Sequence, residues 1–255
     1  MKYNSCPTNE VIWITGASSG IGKQLAISLA KAGNRVIITA RNVEALQTLA
    51  CQYEGIEVLA ADITDDGAIE HMGTKLKTYT SVIDRLMLNA GTCEYFDVNR
   101  PDWDMMTRAM SVNYFGAIHC LAAALPLLKR SDCGHIVAMA SQASRVPFPR
   151  AQAYGPSKAA LSYFVESLGV DFFDTSIDTT VVQLGFVDTP MTAKNDFPMP
   201  FTMSAENTAD RLISEMMARP RSIRFPRRLS WIITVAQIFP NLWYHWVAPR
   251  LSRAS

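Results

Sequence analysis

Apolar residues along this chain fall into short continuous runs, separated by longer stretches with helical spacing. Runs at 11–14, 35–39, 57–60, 85–88, 134–140, 179–184 and 222–225 read as strands. Apolar positions recurring every three or four residues predict helices over 21–32, 43–53, 65–79, 101–128 and 154–175. Gly33 supplies the stop for the first of these. The strand runs are continuously apolar rather than alternating, which fits a sheet covered on both faces. Strands alternating with helices imply right-handed crossovers and parallel pairing. The expected fold is α/β, a doubly wound parallel sheet of about seven strands with helices on both faces. No linker rich in Pro, Gly or Ser divides the chain, so residues 1–255 read as a single domain. Ligands of such a sheet bind at the carboxyl ends of its strands.

Composition narrows the function. Of 255 residues, 49% are hydrophobic and 18% charged, enough apolar material for a large core. Disordered, collagen-like and disulfide-scaffold classes are excluded. The cysteines (Cys6, Cys51, Cys93, Cys120, Cys133) are odd in number and contain no C-x-x-C, which argues against a zinc site or a secreted disulfide framework. A cytoplasmic location is expected. The polar segment 1–10 is too short for a signal peptide. A net charge of +1 argues against nucleic-acid binding through bulk charge. That figure hides an asymmetry. From Arg219 onward there are seven arginines and no Asp or Glu, so the preceding chain is acidic.

Candidate chemistry begins at Thr15-Gly16-Ala17-Ser18-Ser19-Gly20-Ile21-Gly22, between the first strand and the first helix. Gly16 allows a tight turn. Gly20 lets backbone approach a pyrophosphate, and Gly22 permits close packing of helix on strand. The N–H groups that open the helix then face the anion.

A reaction that builds negative charge on a substrate oxygen needs a proton donor there. Tyr154 can donate, and a cation nearby would lower its pKa. Lys158, four residues on, shares its helical face. Pro156 is compatible with a helix only near its start, which places Tyr154 at the mouth of the sheet.

The G-x-x-x-G-x-G spacing resembles the short-chain dehydrogenase/reductase family, and the resemblance runs from Val11 to about Phe225. Asn89-Ala90-Gly91 resembles its N-A-G, and Tyr154 to Lys158 its Y-x-x-x-K. Asn113 and Ser141 stand at its other catalytic positions. Gly185 to Pro190, with Val187 and Thr189, resembles the segment after strand six, although Leu184 replaces the usual Pro. The resemblance implies a Rossmann-like fold and a nicotinamide cofactor. It further implies that Lys158 contacts the nicotinamide ribose, Ser141 bonds the substrate oxygen, and Asn113 holds a water relaying protons to Lys158. The expected cofactor residues are Gly16, Ser18, Ser19, Gly20, Ile21, Gly22, Arg41, Asp62, Ile63, Asn89, Ala90, Gly91, Tyr154, Lys158, Val187 and Thr189. Asp62 resembles the family's adenine-contacting aspartate, with Ile63 beside it.

Strand two ends Thr39-Ala40-Arg41-Asn42 without a carboxylate for ribose hydroxyls. Arg41 can grip a 2′-phosphate, which favours NADP(H) over NAD(H). Phe186, Met191, Phe197, Met199, Phe201 and Met203 fall in region 186–215, expected to form a substrate lid. Their adaptable apolar side chains suit a small-molecule carbonyl or alcohol of apolar character. The alternatives are a redox-inactive nucleotide-binding regulator, or an epimerase or dehydratase on the same fold. Helices 101–128 and 154–175 are the family's usual contacts between subunits. Phe164, Leu168 and Phe172 form one stripe on the second. A homodimer or tetramer is expected. The extension 227–255 is apolar and Arg-rich, with Trp231, Ile232, Val235, Ile238, Phe239, Trp243 and Trp246. Pro240 interrupts it, and neither half is long enough to span a bilayer. It suits a peripheral membrane surface, a subunit contact or a pocket cover.

Overall fold

The computed structural model describes residues 8–252. Cys6, most of the polar segment 1–10, and Arg253 in the extension lie outside the described residues.

Seven parallel strands form the main sheet. In chain order they include β1 (Val11–Thr15), β2 (Arg35–Thr39), β3 (Ile56–Val58), β4 (Arg85–Leu88), β5 (Gly134–Ser141) and β6 (Ile177–Leu184). A separate two-residue ladder pairs β7 (Val187–Asp188) with β8 (Met203–Ser204), and the main sheet closes with β9 (Ser222–Phe225). The main order is β3-β2-β1-β4-β5-β6-β9. The helices are α1 (Gly20–Lys31), α2 (Val43–Gln52), α3 (Ala68–Tyr79), α4 (Asp104–Met110), α5 (Gly116–Leu128), α6 (Tyr154–Asp171), α7 (Ala205–Met216) and α8 (Arg227–Ile238).

Alternation persists inside the apolar strand runs, but both sides are dry. Ile12 and Ile14 of β1 join one core with Leu25 and Leu29 of α1 and Leu212 of α7. Trp13, between them, points into the opposite core with Leu76 of α3, Leu121 of α5 and Leu161 of α6. Trp13 tolerates full burial because its indole N–H donates to Thr39 Oγ1 at 2.8 Å. Strand order reverses between β1 and β4. Chains leaving these neighbours diverge, and a crevice opens at their carboxyl ends.

Several boundaries differ from the sequence pattern. The helix expected over 101–128 starts at Asp104 and contains a π-helical turn, Ser111–Phe115, around Asn113. The helix expected over 154–175 ends at Asp171, and Phe172 to Thr175 turn into β6. Phe164, Leu168 and Phe172 are half-buried against the core rather than presented as a free stripe. The exposed apolar side chains of α6 are Tyr163 and Val170. Leu184 does not end its strand early. It pairs with Ser141 on one side and Phe225 on the other, and Gly185 N–H extends the ladder to Phe225 O at 2.9 Å.

The C-terminal extension is helical. α8 buries Leu229, Ile233 and Ala236 against Val146, and Trp243 joins them. Trp243 belongs to the segment expected to cover a membrane surface, another subunit or the pocket. It finds cover inside, packed edge-on to Phe148 with its indole N–H on Pro147 O at 2.7 Å. Trp231, Ile238, Phe239 and Trp246 stay exposed.

Candidate functional site

A cleft of about 780 Å³ opens at the carboxyl ends of β1, β2, β4, β5 and β6. It gathers Gly16, Ser18, Ser19, Gly20, Ile21, Gly22, Arg41, Asp62, Ile63, Asn89, Ala90, Gly91, Ser141, Tyr154, Lys158, Val187 and Thr189. Of the site residues expected from sequence, Asn113 alone does not line it. Asn113 lies fully buried behind the wall.

The glycine turn is fastened from β4. Asn89 Nδ2 donates to Thr15 O at 2.9 Å and to Gly16 O at 3.1 Å. Thr15 Oγ1 accepts the N–H groups of Asn89 and Ala90, both at 3.1 Å. A Cβ on Gly16 would stand 2.6 Å from Ala90 Cα, and one on Gly22 would stand 2.4 Å from Asn89 Nδ2. Gly16 and Gly20 also hold positive φ of 68° and 56°. The α1 N-cap, Ser19, makes no side-chain cap bond, so the first N–H groups of α1 remain available to an anion. Small residues, close backbone and an uncapped helix start fit the pyrophosphate of a dinucleotide.

At the far end of the cleft, Arg41 is mostly exposed and stands 3.9 Å from the Asp62 carboxylate. Asp62 Oδ1 is occupied by Thr64 N–H at 2.9 Å and Thr64 Oγ1 at 2.7 Å. Burial opposes ionisation of Asp62, but the Thr64 bonds and Arg41 outweigh it and lower its pKa. Asn42 caps α2 by accepting Ala45 N–H, so this corner contains a cation and an exposed helix start.

Tyr154 opens α6, with Pro156 inside the first turn as its chemistry requires. Its ring meets Ser141 at the end of β5. Burial raises the Tyr154 pKa, as does the Cys93 thiol, while a hydrogen bond from Ser141 opposes them. The lowering expected from Lys158 is therefore not what this arrangement produces. Lys158 Nζ instead donates to Met139 O at 2.8 Å. Burial lowers its pKa to about 8, against an opposing effect from Cys93. Ser141 Oγ accepts Ala143 N–H at 3.1 Å, and its own hydroxyl proton faces the Tyr154 oxygen.

Asn113 stands behind the cleft wall, on the same side as Lys158. Its Oδ1 accepts Thr92 N–H at 2.7 Å, and its Nδ2 donates to Thr92 O and to Ser157 Oγ at 2.8 Å. The side chain thus pins the chain after Gly91 to α6, next to Lys158. A Cβ on Gly91 would come within 3.1 Å of both Asn113 Oδ1 and Lys158 Nζ.

Other residues of this region escaped the sequence reading. Glu94 and Arg108 line the cleft mouth, and Arg108 binds both Glu94 and Asp102, at 2.7 and 2.6 Å. Tyr95 packs edge-on against Phe197 of the lid region, 5.3 Å between centroids, and Phe197 against Phe186. Arg150 lies over the Tyr95 ring at 5.3 Å and pairs with Asp196 at 2.8 Å. No local pattern over 93–95, Cys-Glu-Tyr, marks this wall in the sequence.

A family model described as short chain dehydrogenase matches residues 10–198. The chain belongs to the short-chain dehydrogenase/reductase family. As a member of that family it is an NAD(P)-dependent oxidoreductase. An uncharacterized oxidoreductase of Myxococcus xanthus is 32% identical over 242 residues, spanning 93% of this chain and 96% of that protein. A fatty acyl-CoA reductase of Acinetobacter baylyi is 32% identical over 225 residues, 84% of this chain and 75% of that one. Among solved structures of this family, the Pseudomonas aeruginosa RhlG/NADP active-site complex superposes with a TM-score of 0.79. It is 26% identical and covers 87% of this chain and 96% of that chain.

Proposed function

We propose that this short-chain dehydrogenase/reductase interconverts an apolar carbonyl and its alcohol with NADP(H). The observation that carries the reading is the convergence of Ser141, Tyr154 and Lys158 on one cleft with the glycine turn. An intact trio disfavours a redox-inactive regulator.

Gly16, Ser18, Ser19, Gly20, Ile21 and Gly22 would hold the pyrophosphate against α1, with Val187, Thr189 and Asn89 to Gly91 along the nicotinamide half. Asp62 and Ile63 would flank the adenine. Arg41 is held only loosely by Asp62 and would take the 2′-phosphate as a charge-assisted fork. The NADP complex of the Pseudomonas neighbour supports this choice. When bound, the nicotinamide supplies or accepts hydride.

The remaining chemistry belongs to the protein. Burial keeps the Tyr154 hydroxyl protonated near neutral pH, the form needed to donate to a developing alkoxide. Ser141 offers its hydroxyl proton to the same oxygen. Lys158, a cation below about pH 8, would contact the nicotinamide ribose and add positive charge to the cleft. Asn113 positions Lys158 through Ser157 and Thr92. Phe186, Phe197 and Tyr95 would form an apolar wall for the substrate, and the fatty acyl part of the substrate named for the Acinetobacter relative is apolar too.

The proposed setting is the cytoplasm and the proposed assembly a homo-oligomer. Its contact would involve Tyr163 and Val170 of α6 and Phe115 before α5, all exposed. The test is NADPH and NADH consumption with a series of apolar aldehydes and ketones, repeated with Arg41→Ala. Wild type should prefer NADPH, and the variant should raise its KM roughly 10- to 100-fold with little change for NADH. Equal losses with both cofactors would show that the phosphate is read elsewhere.

A further inference from the structure

We propose that α8 and the segment 240–251 form a docking face for an anionic lipid surface. The face stands on two observations, exposed apolar side chains and uncompensated positive charge.

α8 is anchored by one stripe, Leu229, Ile233 and Ala236, and by Ser230, whose Oγ accepts a hydrogen bond from Gln142 Nε2 at 2.6 Å. Its other side carries Trp231, Ile232 and Ile238 in the open, followed by Phe239, Leu242, Tyr244 and Trp246. Trp231 is 70% exposed, Ile238 65% and Trp246 60%. So much exposed apolar surface in a single segment calls for a partner.

Charge selects the partner. Arg221, Arg224, Arg227, Arg228 and Arg250 are exposed on the same stretch, and no Asp or Glu follows Glu215. Arg221, Arg224, Arg227 and Arg228 form no ion pair among the described residues. The neighbouring loop adds Arg145, bonded to Thr234 and Gln237 of α8, and no carboxylate. A second copy meeting this face about a two-fold axis would set arginines against arginines. An anionic bilayer supplies the missing charge, and its interface accepts Trp, Tyr and Phe together with arginine. Arg250 stacked on Trp246 at 5.8 Å pairs the two functions in one spot.

The position has a consequence for the active site. The hydrogen bonds of Ser230, Thr234, Gln237 and Trp243 to the body of the protein fall in 142–148, the loop that continues from Ser141. A docked lipid surface would therefore lie beside the substrate end of the cleft. Delivery of an apolar substrate from that surface rests on the carbonyl-reductase reading; the docking does not.

The experiment is co-sedimentation of the full chain with vesicles of phosphatidylcholine alone and of phosphatidylcholine mixed with phosphatidylglycerol, at low and high salt. The comparison proteins are Trp231→Ser/Phe239→Ser/Trp246→Ser and Arg227→Gln/Arg228→Gln. Each alters exposed positions only, and circular dichroism and thermal melting confirm the fold. Wild type should bind the anionic vesicles, release in high salt, and bind neutral vesicles weakly. Each variant should bind roughly tenfold more weakly. That pattern supports docking even if no carbonyl is turned over, in which case only the functional reading fails. Wild type remaining in the supernatant with anionic vesicles overturns the proposal. So does an aromatic variant that binds vesicles normally but loses oligomer mass in light scattering, because the face would then cover a second copy.

Discussion

At the residue scale, burial rather than pairing governs Tyr154 and Lys158. Tyr154 and Lys158 share a helical face as their spacing requires, yet the lysine spends its hydrogen bond on Met139 O. Sequence shows which groups stand four apart. It does not show which carbonyl a buried ammonium will choose, because that depends on a strand nineteen residues away. The lowered pKa of Lys158, about 8, has two measurable consequences. The ammonium is lost as pH rises through 8, so kcat/KM for NADPH should fall about tenfold per pH unit above that point. Stability should move the other way. Between about 8 and the ordinary 10.5, the unfolded chain binds more protons than the folded one, so this group makes folding more favourable as pH rises. A profile of kcat/KM that stays flat to pH 10, with melting unaffected, would remove Lys158 from this role.

At the scale of elements, the legible parts are those whose chemistry is local. The turn from Thr15 to Gly22 could be read in advance because its positive φ values and close approaches demand glycine wherever they occur. The strand runs were equally plain, since two dry faces leave little polar sequence between their ends. The π-helical turn at Ser111–Phe115 carries no such mark. Its consequence, Asn113 turned toward Thr92 and Ser157, depends on partners from two other segments. The Arg150–Asp196 latch was hidden for the same reason, its ends lying forty-six positions apart. It joins the loop before α6 to the lid region while Arg150 covers Tyr95. Both side chains are substantially exposed, so Arg150→Ala should cost less than about 1 kcal/mol of stability. Substrate KM should nevertheless rise roughly three- to tenfold, with kcat little changed, because the latch holds the wall in place rather than the reacting atoms. Steady-state kinetics beside a thermal melt separates the two effects, and an unchanged KM would reduce the latch to surface decoration.

At the scale of the whole molecule, the reversal of strand order between β1 and β4 explains why residues spread from Gly16 to Thr189 reach one cleft. The sequence pattern foresaw this crevice from alternating strands and helices alone. The stripe read as a subunit contact is partly used within the subunit. Phe164, Leu168 and Phe172 look like a free stripe, but α6 lies against the sheet and turns that stripe half inward. Light scattering at micromolar concentration should show a dimer or larger, and Tyr163→Glu/Val170→Glu should shift it toward monomer if α6 forms the contact; an unchanged mass would place the interface elsewhere. Tyr154 is the proposed proton donor in an NADPH-linked carbonyl reduction. The most direct test is Tyr154→Phe, with turnover and NADPH affinity measured on the same preparation. Turnover should fall by about 10²–10⁴-fold while NADPH affinity stays within roughly threefold of wild type, since the phenol hydroxyl acts on substrate rather than on the pyrophosphate cradle. Turnover close to wild type would contradict the account.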